Sequence, residues 1–453
     1  MTVTSARADA VRTDRGTVVA WGLWDWGSAA LNAVLITFIF SVYLTDSVGQ
    51  TIGDSVTVLG VEISATPAQW YGWAMAAAGV AIALVAPVMG QRADVRGTRR
   101  RSLGVWTGVT VALMAGLAFI RNDDQLYFWL GITVLAVASV TFEIAEVNYF
   151  AMLRQISTRA TVGTVSGFGW AMGYFGGIVL LLACYLGFVA GEGETRGALG
   201  LPVAGGVNIR MVALFAAVWF FLFALPVLFR VPEIPPTGEP KTGFRESYRT
   251  LFRDLGELWR SDRNSVYFLI SSAVYRDGLA GVFTFGAILA VSVYGFAPGD
   301  VLLFGVAANV VSALGALAGG WLDDKLGPKP VILFSLGAMI AAALTLFFVS
   351  GPTMFWVFGL VLCLFVGPAQ SASRTFLTRV SPADRDGQLF GLYATTGRAV
   401  SWMTPLMFGW FVGWFGGDRA GIIGIGVVLL VGALLLLRVR SPEQTAPAPG
   451  TAG

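Results

Sequence analysis

Long apolar blocks alternate with short polar stretches along the whole chain, and most blocks reach the roughly 20 residues a helix needs to cross the hydrocarbon core of a bilayer. The pattern predicts twelve helices, at 18–44, 69–90, 102–120, 126–153, 163–189, 209–229, 265–293, 300–322, 329–350, 353–373, 387–414 and 420–437. An even number of crossings returns both ends to one side. All but six of the 30 Lys and Arg residues fall in the N-terminus, the even-to-odd connections and the C-terminus, so the positive-inside rule makes both ends cytoplasmic. The exceptions are Arg121, Arg196, Arg210 and Arg419 at the opposite connections, and Arg276 and Arg398 inside predicted helices.

The long polar connection at 231–264 divides the chain into two six-helix bundles, 18–230 and 265–438, with a cytoplasmic N-terminus at 1–17. Within the connection, FRESYRTLFRDLGELWR places apolar residues at 244, 248, 251, 252, 255, 258 and 259, with basic residues opposite. That stripe predicts an amphipathic helix lying in the membrane interface. The tail at 439–453 has the composition of disorder.

Composition fixes the class. Of 453 residues 56% are hydrophobic and 13% charged, with a mean hydropathy of +0.72, against about a quarter charged in soluble domains. This is an all-α integral membrane protein. A net charge of +3 gives no reason to expect a nucleic-acid partner, and the absence of histidine removes Ser-His-Asp catalysis and His-based metal sites. No cofactor or metal is expected. Cys184 and Cys363 lie inside apolar runs and read as small packing residues.

The two bundles repeat one another. GQRADVRGTRRR follows the second helix and GWLDDKLGPKP the eighth, so that Gly90, Asp94, Gly97 and Arg99 correspond to Gly320, Asp324, Gly327 and Lys329 at one constant offset. Arg154 and Arg159 likewise parallel Arg374 and Arg379, and Gly163, Gly167 and Gly173 parallel Gly387, Gly391 and Gly397. Duplicated halves are the architecture of many secondary transporters, which bind substrate between them near the midplane.

The duplicated G-x-x-x-D-x-x-G loop resembles the signature of the major facilitator superfamily. LWDWGSAALNAVLITFIFSVYL, VSGFGWAMGYFGG, VYRDGL and FGLYATTGRAVSWMTPLMFG further resemble the branch related to the vacuolar amino-acid effluxers of autophagy. Ser28 stands where many relatives carry Asn, and Arg276 where they more often carry Asn before Asp-Gly. The resemblance implies a twelve-helix major facilitator fold with the first, fourth, seventh and tenth helices facing the cavity. It implies transport of a small molecule by alternating access, by a monomer in the cell membrane. It assigns gating to Gly90, Asp94, Gly97, Arg99, Gly320, Asp324, Gly327 and Lys329. GWAMGYFGG is similar to the glycine-rich stretch of proton-driven exporters, although close helix packing asks for the same residues.

Charge at membrane depth marks the candidate site. At ~1.5 Å rise per residue, Asp25 lies about 10 Å inside the first helix. Glu143, Arg276, Asp277 and Arg398 fall near the middle of theirs, and Glu146 lies one turn closer to the cytoplasm than Glu143. Each such charge costs several kcal/mol unless paired or hydrated. Asp25, Glu143, Glu146 and Asp277 are therefore candidate proton-coupling or cavity residues, the alternative being a structural ion network. Arg276 and Arg398 are candidate substrate ligands or counter-ions, with Trp24, Ser28, Asn32 and Asn148 as further lining candidates. Four acids against two arginines would leave two carboxylates unpaired. Two rival readings are a membrane aspartyl enzyme using Asp25 and Asp277, which no second motif supports, and a non-transporting sensor with a transporter-like fold.

Overall fold

The computed structural model describes residues 14–53, 56–58, 61–63, 65–235, 258–260, 262–296, 298–381 and 386–441, with isolated positions at 246, 249, 253 and 256. Most of the expected interfacial helix at 244–259, the N-terminus before residue 14 and the tail after 441 lie outside the described residues.

The first half opens with α1 (Arg15–Ala29), whose N-terminus is capped by Asp14: its carboxylate accepts from the Thr17 amide at 3.0 Å and the Thr17 hydroxyl at 2.9 Å. These bonds favour the ionised form and hold the Asp14 carboxyl below its ordinary range. The helix continues as wide π-type turns at Ala30–Phe38 and Tyr43–Val48, so that Arg15–Thr51 is one 37-residue span. It is followed by α2 (Pro67–Arg96), α3 (Arg99–Gly116), α4 (Gln125–Ala151), α5 (Val162–Cys184) and α6 (Val207–Arg230). The second half contains α7 (Arg263–Ser292), α8 (Pro298–Leu326), α9 (Pro328–Phe348), α10 (Pro352–Val380), α11 (Asp386–Val400), α12 (Met403–Phe415) and α13 (Gly421–Leu437).

Among the described residues, 11 helical segments are long and apolar enough to cross a membrane. The stretch expected as one eleventh helix, 387–414, is instead two shorter helices, α11 and α12, separated at Ser401–Trp402. Side chains finish the end of α11. Ser401 Oγ donates to the Arg398 carbonyl at 3.0 Å and Trp402 Nε1 to the Ala399 carbonyl at 2.9 Å, so the last carbonyls of α11 are satisfied without a following turn.

The halves meet chiefly where α5 packs on α8 and α2 on α11. These contacts depend on missing side chains. A Cβ on Gly163 or Gly167 would strike backbone atoms of Gly320 or Ala316, and one on Gly90 or Gly391 would strike Gly387 or Pro87. Small residues let helix backbones approach this closely. Gly97 and Gly327 occupy equivalent places in the repeat with φ of 64° and 84°, a conformation that side chains with a Cβ rarely adopt.

Candidate functional site

The signature loops clamp the two halves together at one end of the molecule, by an exchange of helix caps. Asp94, at the end of α2, pairs with Arg99 at 2.6 Å and accepts from the Gln388 amide at 3.0 Å. It thus serves the N-terminus of α11 in the other half. Asp324, at the end of α8, accepts from the Gly163 and Thr164 amides at 2.6 and 2.7 Å, serving α5 across the opposite seam. A carboxylate at a helix N-terminus satisfies orphan amides and favours the local dipole.

Further arginines reinforce each seam. Fully buried Asp386 receives Arg154 at 2.8 Å and Arg99 at 3.5 Å, and Arg154 also donates to the Thr378 and Ser381 carbonyls. Arg379 lies 3.1 Å from Asp323 and 3.6 Å from Asp324. Lys329 departs from its equivalent Arg99. It donates to the Leu437 and Val439 carbonyls at 3.1 and 2.6 Å, finishing α13, whose last carbonyls lack intrahelical donors.

Deeper in the bundle, Arg398 of α11 reaches across to Glu143 of α4 at 2.9 Å, with the arginine side chain 44% exposed and the glutamate 12%. Glu146 makes no hydrogen bond or ion pair among the described residues, while the charges of Glu143, Asp25, Arg276 and Arg398 all act on it. Arg276 has no carboxylate partner among them either. Its guanidinium lies 3.6 Å above the Tyr393 ring, donates to the Tyr393 carbonyl at 3.2 Å, and leaves a buried Nε unbonded. Asp25 accepts from Ser28 Oγ at 3.3 Å and from Tyr149 Oη at 3.4 Å. Gly173 gives it room, since a Cβ there would lie 3.0 Å from the carboxylate.

The acidic groups at this level belong to α1 and α4 of the first half. The guanidiniums belong to α7, α10 and α11 of the second.

Against this geometry, residues 155–446 match the family described as vacuole effluxer Atg22 like. The chain belongs to that family.

An uncharacterized MFS-type transporter, YxiO of Bacillus subtilis strain 168, is 22% identical over 426 residues, covering 94% of this chain and 95% of that protein. Autophagy-related protein 22-1 of Aspergillus fumigatus is 23% identical over 310 residues, 63% of this chain and 48% of that protein. Among solved structures, the MFS proton:xylose symporter XylE bound to 6-bromo-6-deoxy-D-glucose superposes with a TM-score of 0.70 at 14% identity, covering 96% of this chain and 97% of that one. The Atg22-like chain is thus a multi-pass membrane transporter of the major facilitator superfamily, with its all-α fold.

Several expected lining residues of the Atg22-like protein lie elsewhere. Trp24 is fully buried within the first half, its Nε1 donating to Thr107 Oγ1 at 3.0 Å and its ring stacked on Tyr149 at 4.4 Å; it packs the bundle and does not line a cavity. Asn148 is also fully buried, with Nδ2 donating to the Ile144 carbonyl one turn back at 2.7 Å. Asp277 does not face the other half. Its carboxylate accepts from both the amide and the hydroxyl of Thr404 at 2.7 Å, capping the start of α12 from the neighbouring helix. Ser28 is buried beside Asp25, and Asn32 is exposed on the widened part of α1.

The apolar pattern ends the tenth helix at 373 and so leaves Arg374 outside it, whereas α10 runs on to Val380. The repeat offset that pairs it with Arg154 was the available signal. With Arg374 counted and Asp277 assigned to α12, the expected surplus of two carboxylates disappears.

Proposed function

We propose that this protein is a secondary active transporter that exports a small dipolar solute, of the size and charge pattern of an amino acid, in exchange for protons. Glu146 on α4 and Arg276 on α7 carry that reading: opposite charges on opposite halves, each without a direct ionic partner among the described residues. A ligand with an ammonium at one end and a carboxylate at the other would satisfy both while bridging the halves. Arg276 offers a planar donor fork suited to a carboxylate. Glu146 is the proton carrier, and the Glu143–Arg398 pair beside it holds the halves in register. Lys and Arg enrichment puts the signature loops on the cytoplasmic side, so the clamped end is the inner gate and the described state is outward-facing.

Reconstitution into proteoliposomes tests this, with a panel of zwitterionic, cationic and anionic amino acids and an imposed pH gradient. Glu146→Gln is expected to abolish gradient-driven accumulation and, because the substrate's ammonium loses its carboxylate, to weaken substrate exchange as well. Accumulation retained by both Glu146→Gln and Glu143→Gln would overturn the coupling assignment. No flux with any of the zwitterions would overturn the substrate class.

A further inference from the structure

Arg374 projects from α10 of the second half into a socket made by the first half. Its guanidinium lies 5.0 Å from the Trp21 ring, 5.9 Å from Tyr149, 4.9 Å from Phe150 and 5.6 Å from Trp170. Those rings come from α1, α4 and α5. Nε donates to Ser166 Oγ at 3.0 Å and Nη2 to the Ser166 carbonyl at 2.6 Å, while Asp25 adds a nearby negative charge. The side chain is 1% exposed, and Nη1 has no partner. Gly169 makes the room: a Cβ there would lie 3.0 Å from Nη2.

Every group that recognises this cation belongs to one half, and the cation belongs to the other. When the halves part at the signature-loop end, Arg374 must withdraw. It leaves behind ring faces, a carbonyl, a hydroxyl and a nearby carboxylate, a set whose chemistry suits an organic cation. We infer that this socket is a binding site for a small guanidinium or ammonium ion, occupied by Arg374 while the gate is closed and open to a free cation once it parts.

The inference rests on the alternating-access reading, and linkage gives it a sign. A free cation that competes with Arg374 binds the parted state better and shifts the population toward it. Without the Arg374 side chain, the same cation contacts only the first half, so it stabilises the protein without moving the gate.

The test uses full-length protein with Cys184 and Cys363 replaced by Ala and a cysteine pair at Ala160 and Leu326, both exposed beside the gate. Cross-linking by a short bismaleimide reports closure. In the otherwise unmodified protein, guanidinium chloride at roughly millimolar to tens of millimolar concentration should lower cross-linking saturably by about half or more relative to equal sodium chloride. In Arg374→Ala it should leave cross-linking unchanged and raise the melting temperature saturably. Trp170→Leu in that background should weaken the response. Arg374→Lys serves the same comparison should the alanine variant fail to fold, its shorter-range point charge filling the socket incompletely. Cross-linking insensitive to guanidinium, or no saturable stabilisation of the Arg374 variant, would overturn the cation site. Asp94→Ala combined with Asp324→Ala tests the underlying reading separately: if that double variant cross-links as fully as its parent, the gate assignment itself fails.

Discussion

At the scale of single residues, the chemistry at depth was legible and its pairing was not. Asp25, Glu143, Glu146, Arg276 and Arg398 all lie within apolar runs, and the charges of the other four act on Glu146. Partner choice depends on how each helix is rotated, which a weak and nearly uniform hydrophobic pattern does not record. Asp277 illustrates the gap. Adjacent to Arg276 in sequence, it points about 100° away around the helix and caps α12 through Thr404. Replacing it by Ala removes a charged acceptor of two hydrogen bonds and should cost about 2–3 kcal/mol of stability, whereas Asn keeps one acceptor and should cost about 1 kcal/mol. Thermal unfolding in detergent measures both. Equal losses for the two would argue against the cap.

Among the elements, existence and order were readable from apolar length, and two boundaries were not. The tenth helix continues past its apolar stretch because Arg374 finds aromatic partners across the seam and Arg379 acidic ones on α8 of its own half, so their charges do not signal an exit to water. The eleventh breaks one turn before Pro405, whose missing amide and ring rule out a helical bond to the Ser401 carbonyl. Its free carbonyls and amides are satisfied by Ser401, Trp402 and a carboxylate from α7, and an average over apolar residues cannot see bonds of this kind. The helix seams yield a sharper expectation. Gly167→Val would drive a side chain into the Ala316 carbonyl, and overpacking of this sort costs roughly 1–3 kcal/mol, here charged to the closed gate alone. Cross-linking of the Ala160→Cys/Leu326→Cys pair should fall markedly. Gly177→Ala, whose new methyl would sit 3.4 Å from Ala29 Cβ in ordinary contact, should leave it unchanged; a fall of equal size would show that the seam is not specific.

For the whole molecule, the duplication was visible as blocks repeated at nearly the same spacing, yet the exchange of caps between halves was not, because internal repetition says which parts are alike and not which touch. The loop charges predict sidedness, and reporter fusions check it. A reporter after Glu192 should lie outside the cell and one after Lys241 inside; two reports from the same side would overturn the orientation.

The exchanged caps also set a timetable for synthesis. The α5 amides at Gly163 wait for a carboxylate 161 residues further along, and Asp94 waits 294 residues for Gln388. At a ribosomal pace of about 5–20 residues per second, those intervals are roughly 10–60 s. Throughout that time the first bundle stands in the membrane with its helix end served by water alone, so the capped seam is among the last features a newborn chain can acquire.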